Sequence, residues 1–204
     1  MVQPLFINLS GKKVVIAGGG KVAARKARSI GAEQVELTFI APSFYEEVVK
    51  LSEEYGYTLI HREAKLEDFN NAFLVILATN NRKQNKTWAK QLSPHRLVCV
   101  VDEAGEGNVI FPAAVQRGQL QIAITTNGAS PKLARSLKHD LESWFDVSWE
   151  PYLEFLSQCR QKIKNLNIPF EEKNKLLEAI LDDGYRINKQ AQREFLARLE
   201  NGSY

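Results

Sequence analysis

Three consecutive glycines, Gly18, Gly19 and Gly20, stand between the apolar run Val14–Ala17 and the basic, alanine-rich stretch that starts at Lys21. Glycine is the costliest residue to order, so a triplet at one point needs a reason in the backbone. The segment Gly18-Gly19-Gly20-Lys21-Val22-Ala23 fits the pattern G-x-G-x-x-A. In that pattern the first glycine allows a tight strand-to-helix turn and the second lets a pyrophosphate approach the backbone. The small third residue lets the helix close on the strand. The N–H groups and dipole of the helix start then face the phosphates. The alternative is a glycine turn in an α/β fold that binds nothing there. The position after an apolar strand and before a helix favours the dinucleotide.

The remaining pattern agrees with an α/β sheet. Strands are expected at "KKVVIAG", Val35–Pro42, "YTLIHR", Ala72–Asn81 and "RLVCVVD", and helices at Lys21–Ile30, residues 43–56 and Asn85–Leu92. Alternating strands and helices over about a hundred residues predict a doubly wound parallel sheet. Ala72–Asn81, the most apolar of the strands, reads as central in it. Beyond it the pattern changes. Strand-like alternation appears around Gln119–Thr126 after a turn at Arg117-Gly118. Ser130-Pro131 then caps a helix running to about Phe145, and from Trp149 only helices follow, broken near Pro169 and Gly184.

Composition narrows the classes. The chain has 204 residues, 44% of them hydrophobic and 25% charged, which is enough to bury a core without staples. A net charge of +3 with the signs interspersed does not mark a nucleic-acid binder. The tail is balanced too, with nine Lys and Arg against eight Asp and Glu from residue 151 onward. No apolar run reaches the length of a membrane span, and the start has too short an apolar run for a signal peptide. Cys99 and Cys159 have no metal-ligand spacing and read as reduced thiols of a cytoplasmic protein. His61, His95 and His139 are scattered, so no metal ligand is assigned.

Several polar residues fall where ligands bind. An acid at the tip of the second strand would mark NAD, and an arginine NADP. The tip, "FIAPSF", has neither; Ser43 can bind a ribose hydroxyl, and the missing arginine leans toward NAD. Thr79 and Asn80 follow the fourth strand and either line the crevice at the sheet edge or cap a loop. Asp102 ends the fifth strand. It is either a general base, its pKa raised by apolar burial, or a turn-capping aspartate. Thr125, Thr126, Asn127 and Ser130 lie near Arg117, Lys132, Arg135 and Lys138. This group is either a polycarboxylate site or a capped helix with a solvated basic face.

Together the residues resemble one family. "PLFINLSGKKVVIAGGGKVAARKA", "APSF", "ATNN…N", "VVDE…FPA" and "RGQLQIAITTNGASPKLAR" occur in the order found in precorrin-2 dehydrogenases, the N-terminal module of siroheme synthases. The resemblance implies an NAD-binding Rossmann domain over residues 1–112, a small α+β dimerisation segment over 113–146 and an all-α domain over 147–204. It implies NAD-dependent oxidation of precorrin-2 to sirohydrochlorin, on the way to siroheme or cobalamin, by a homodimer with no nucleic-acid or membrane partner. It carries Gly18, Gly20 and Ala23 to the pyrophosphate, with Gly19, Lys21 and Val22 in the same loop. Ser43, Thr79 and Asn80 go with the cofactor crevice, and Asp102 matches the family's functional aspartate. Thr126, Ser130 and Pro131 match its "S/T-x-G-x-S-P" stretch, and with Asn127, Lys132 and Arg135 are candidates to hold the tetrapyrrole.

There are two departures: Cys99 stands where Asn is usual, and Asn127 where Gly is usual. No methyltransferase module is expected after the tail, and the chain is then not expected to make its own precorrin-2. A bifunctional dehydrogenase and ferrochelatase is the alternative, with Asp102 taking pyrrole protons. A non-catalytic NAD-responsive binding protein is a third class; it would need neither Asp102 nor the basic cluster.

Overall fold

The computed structural model describes residues 2–31 and 34–202. It divides into two compact units, one up to Phe111 and one from Pro112. Among the described residues no helix is long and apolar enough to cross a membrane.

The first unit is a parallel sheet flanked by helices. Its elements run β1 (Lys13–Ala17), α1 (Lys21–Ile30), β2 (Glu36–Ala41), α2 (Glu46–Tyr55), β3 (Thr58–His61), β4 (Leu74–Leu77), α3 (Arg82–Leu92) and β5 (Leu97–Val100). The strand order is β3-β2-β1-β4-β5, all parallel. β1 and β4 are buried on both faces, which is why "VVIA" and "LVIL" are unbroken apolar runs. Side chains alternate between two cores. Val14 and Ile16 join Ala23, Ala24 and Ala27 of α1 and Val48 and Leu51 of α2. Val15 and Ala17 join Phe69 and Trp88, Ala89 and Leu92 of α3. The alanines of α1 have no bulk, so that helix lies close on the sheet.

Helix ends follow local chemistry. Gly56 closes α2 in the left-handed region at φ 70°, and Arg28 of α1 pairs with Glu47 of α2 at 2.6 Å. α3 starts three residues before the expected Asn85, because the Asn81 side chain accepts the Gln84 N–H at 3.1 Å and caps it.

The second unit opens with a hairpin, β6 (Ala113–Arg117) and β7 (Leu120–Ile124). Only the second of these strands is visible as alternation in the sequence. Gly118, at φ 54°, takes the first of two loop positions, as a II′ turn requires. Helix α4 (Pro131–Trp144) follows with Ser130 as its cap. Then come α5 (Trp149–Asn165), α6 (Phe170–Ala179), α7 (Asp183–Ile187) and α8 (Lys189–Asn201). The tail core holds Tyr152, Phe155, Cys159, Ile163, Ile180, Phe195 and Leu199. The break expected near Gly184 is found at residues 180–182, and Gly184 itself lies inside α7. There the Asp182 carboxylate accepts the Gly184 N–H at 2.8 Å and caps α7. A further break at Asn188, whose side chain caps α8, has no glycine or proline to announce it.

Candidate cofactor site

β1 lies between β2 and β4, and the chain reverses its winding there. The carboxyl ends of β1 and β4 therefore diverge into a crevice, as ligand sites of open α/β sheets do. A cleft of about 830 Å³ opens at this edge. Gly18, Gly19, Gly20, Lys21, Val22, Ala23, Ser43, Thr79 and Asn80, the nine residues singled out from sequence for a cofactor, all line it.

The three glycines do different things. A Cβ on Gly18 would lie 2.3 Å from the Ala78 carbonyl oxygen, and φ there is 131°. A Cβ on Gly19 would lie 2.2 Å from the Ser43 carbonyl oxygen. Both glycines let the loop thread between the tips of β2 and β4, where Gly18 N–H donates to Ile40 O at 2.9 Å and Tyr45 N–H to Gly19 O at 2.8 Å. A Cβ on Gly20 would meet nothing within 4 Å. That open space lies at the start of α1, whose first turn has no acidic residue and no side-chain cap. Uncapped N–H groups, a dipole and room for close approach suit a pyrophosphate, so the residues present fit a dinucleotide.

The opposite wall comes from the β4–α3 loop. Asn85, fully buried, donates through Nδ2 to Thr79 O at 3.0 Å and accepts from Thr79 Oγ1 at 2.6 Å. Thr79 Oγ1 in turn accepts the Asn81 N–H at 3.2 Å. Thr79 is thus held as part of the wall's frame, and Asn80 is left exposed at its tip. Glu63, Tyr45, Asn81, Gln84 and Trp88 also line the cleft and were not found from sequence. Lys21 holds its ammonium over the Tyr45 ring, 5.3 Å from the centroid. His61 packs edge-on against Phe44 with ring centroids 4.8 Å apart, in keeping with a structural role.

Asp102 follows β5 just past Val101, whose N–H donates to Leu77 O at 3.1 Å. It stands at the carboxyl edge as expected, but it is exposed, so the apolar burial expected to tune it is not supplied. Cys99 is buried in the core with α1 and α2, and burial pushes its thiol up. It fills the position as a small apolar residue, and the cleft keeps its lining without it. Burial likewise pushes the Cys159 thiol up to about 12, so neither cysteine is an activated nucleophile. Among the described residues no group of three or more His, Cys, Asp or Glu converges as metal ligands would.

In the second unit Thr126 Oγ1 accepts the Ser130 N–H at 3.0 Å, and Ser130 Oγ accepts the Leu133 N–H at 3.2 Å. Asn127 sits at φ 49°, a backbone region that glycine tolerates best and asparagine next, which accounts for this departure from the family pattern. The four cations separate. Arg117 donates to Phe145 O at 2.7 Å and Glu142 O at 3.3 Å, satisfying the C-terminal carbonyls of α4. Lys138 pairs with Glu142 at 3.5 Å. Lys132 and Arg135 remain exposed on the first turns of α4.

A five-stranded parallel sheet in this order, with a glycine loop at its switch point and an uncapped helix start, defines a dinucleotide-binding protein of the Rossmann class. The comparisons agree and go further. A family model described as NAD(P)-binding matches residues 5–113, one for the sirohaem biosynthesis protein central region matches 117–143, and one for the SirC C-terminal domain matches 149–195. The precorrin-2 dehydrogenase of Priestia megaterium is 34% identical over 96% of this chain and 97% of its own length. That of Bacillus subtilis is 37% identical over 78% of this chain and 98% of its own length. A solved structure, "SirC, precorrin-2 dehydrogenase", superposes with a TM-score of 0.85 at 34% identity, covering 98% of this chain and 100% of that one. The chain belongs to the precorrin-2 dehydrogenase family, and its cofactor class is nicotinamide.

Proposed function

We propose that this protein oxidises precorrin-2 to sirohydrochlorin with NAD, in siroheme or cobalamin biosynthesis. The observation that carries this reading is the glycine-loop cleft, in a chain that matches named precorrin-2 dehydrogenases across nearly their whole length. The oxidation removes one hydride and one proton from a reduced tetrapyrrole. When bound, the nicotinamide accepts the hydride. The start of α1 and the loop Gly18–Ala23 hold the pyrophosphate, Ser43 a ribose hydroxyl, and Thr79 and Asn80 the far wall.

Asp102 accepts the proton or orients the ring. It is exposed at the sheet edge, where a substrate can reach it. Thr126, Asn127, Ser130, Lys132 and Arg135 hold substrate carboxylates. Thr126 and Ser130 use their oxygens as acceptors from backbone N–H groups, so each keeps a hydroxyl proton to donate. NAD is preferred over NADP because no arginine lines the cleft among its described residues.

We assign the enzyme to the cytoplasm, with its soluble cofactor, and read it as a homodimer. The β6–β7 hairpin is a lone two-stranded sheet, which is marginal by itself. Helix α4 buries none of its residues and leaves Leu133, Leu137 and Trp144 exposed. A second copy would cover them. The deciding experiment is an anaerobic mixture of protein, precorrin-2 and NAD, followed by NADH absorbance and the tetrapyrrole spectrum. Stoichiometric NADH and sirohydrochlorin are expected. No turnover with NAD or NADP would leave a binding module.

A further inference from the structure

The second strand lacks the acid that usually holds a dinucleotide's ribose, and the structure supplies one from the neighbouring strand. β2 and β3 run parallel with Ala41 opposite His61. Ser43 and Glu63 each stand two residues past that pair, on strands whose spacing is about 4.8 Å. Past that pair the chains turn, with the Arg62 N–H donating back to Ile60 O at 3.1 Å and Ser43 O lying against Gly19, and both residues line the cleft. The pairing of β2 with β3, not sequence proximity, therefore brings a carboxylate and a hydroxyl to one cleft.

The residue before Glu63 is an arginine, the side chain best suited to grip a 2′-phosphate. It is engaged elsewhere. Arg62 Nη1 and Nη2 donate to the two Asp68 oxygens at 2.7 and 2.6 Å, and Nη1 donates also to Glu63 O at 3.0 Å. The Arg62 guanidinium holds the Asp68 carboxyl below the usual carboxylate range, so the pair is charged at neutral pH. Asp68 is fixed in turn by accepting the Lys65 N–H at 2.7 Å. Arg62 is not among the described residues that line the cleft. Lys21 does line it, but it opens α1 beside the glycine loop, where the pyrophosphate common to both cofactors is held.

Resting on the reading that this cleft holds a nicotinamide dinucleotide, we infer that Glu63, in the same cleft lining as Ser43, binds the ribose diol and repels a 2′-phosphate, while Asp68 withholds Arg62 from that phosphate. Glu63 is the specificity residue and Asp68 a positioning residue acting through Arg62. The device explains how a cleft can select NAD although the tip of its second strand carries no acid.

The test is binding, not turnover. NADH and NADPH are titrated separately into the full chain, following energy transfer from tryptophan, since Trp88 lines the cleft. The wild type binds NADH roughly 100-fold more tightly, a like-charge penalty on the other cofactor. Glu63→Gln tightens NADPH about 10-fold and weakens NADH only a few-fold, because the amide still accepts a hydroxyl. Adding Asp68→Asn, which keeps an acceptor for the Lys65 N–H but removes the charge and one of the two bonds that hold Arg62, loosens Arg62 and brings NADPH to within a few-fold of NADH. Adding Arg62→Ala to that pair returns NADPH to its affinity in Glu63→Gln alone. NADH binding with a ratio that Glu63→Gln and Asp68→Asn leave unmoved would overturn the inference and spare the cofactor reading. Binding of neither nucleotide to the wild type would overturn both.

Discussion

Asn85 grips Thr79 at two points, its amide nitrogen on the Thr79 carbonyl and its amide oxygen on the Thr79 hydroxyl. Asn85 is wholly buried on α3, so the cleft wall at β4 is tied to the helix rather than left as a free loop. Asn85→Ala removes both bonds and strands the Thr79 carbonyl. We expect a loss of about 1–3 kcal/mol in urea unfolding and weaker NADH binding at temperatures where the fold is intact. Unchanged NADH affinity would show that the position of Thr79 does not matter to the cofactor.

The glycines give a contrast within one loop. Gly18→Ala drives a methyl into the Ala78 carbonyl at a φ that alanine rarely adopts, so it should lower the melting temperature before any ligand is added. Gly20→Ala points its methyl into open space. That variant should melt as the wild type does and lose NADH affinity, by about 10-fold or more if the methyl stands where the pyrophosphate approaches. Equal melting and equal affinity in Gly20→Ala would remove the loop from the site.

The sheet and the glycine loop were legible because apolar runs and glycine spacing are local signals. What needed the fold was the pairing of distant residues. Glu63 is an ordinary polar residue until β3 is set in register with β2. Asn85 looks like any polar helix residue until the turn from Asn81 puts it on the buried face with Trp88 and Ala89. Arg117 reads as a free cation in the sequence, yet it serves the carbonyls at the end of α4. Asp102 could be read as a buried base or as a loop aspartate, and the chain decides it by leaving the sheet at Val101, one residue earlier, so that Asp102 is exposed.

Asp102 offers a separation of binding from chemistry. It is exposed and forms no part of the described cleft lining. Asp102→Ala should therefore leave the melting temperature and NADH affinity unchanged. If the carboxylate takes the substrate's proton, anaerobic turnover of precorrin-2 falls by roughly 100-fold or more. Turnover near that of the wild type would exclude it as the base.

The exposed face of α4 tests the assembly. Leu133 is 51% and Leu137 40% exposed, so replacing both with glutamate should change the stability of an isolated chain little. In a dimer closed over this helix the same change buries two unpaired carboxylates. Light scattering should then show a dimer for the wild type and a monomer for the variant. A wild-type monomer would contradict the homodimer outright.

The Arg62–Asp68 pair predicts a pH signature of its own. The folded-state pKa of Asp68 lies below its unfolded value, first through the Arg62 hydrogen bond and then through the Lys65 N–H. A depressed carboxylate contributes stability above its unfolded pKa, near 4, and loses it as pH falls through the lower folded pKa. Comparing the wild type with Asp68→Asn in urea cancels the titration of every other group. The variant's midpoint should lie below the wild type's by a constant amount from neutral pH down to about 5. The gap should close progressively in stronger acid, where the wild-type carboxyl takes up its proton. Arg62 is well exposed to water, so the gap is small and shrinks in high salt. A gap that widened on acidification would mean the carboxyl is protonated more readily in the fold than out of it, and Arg62 would then not be held by charge.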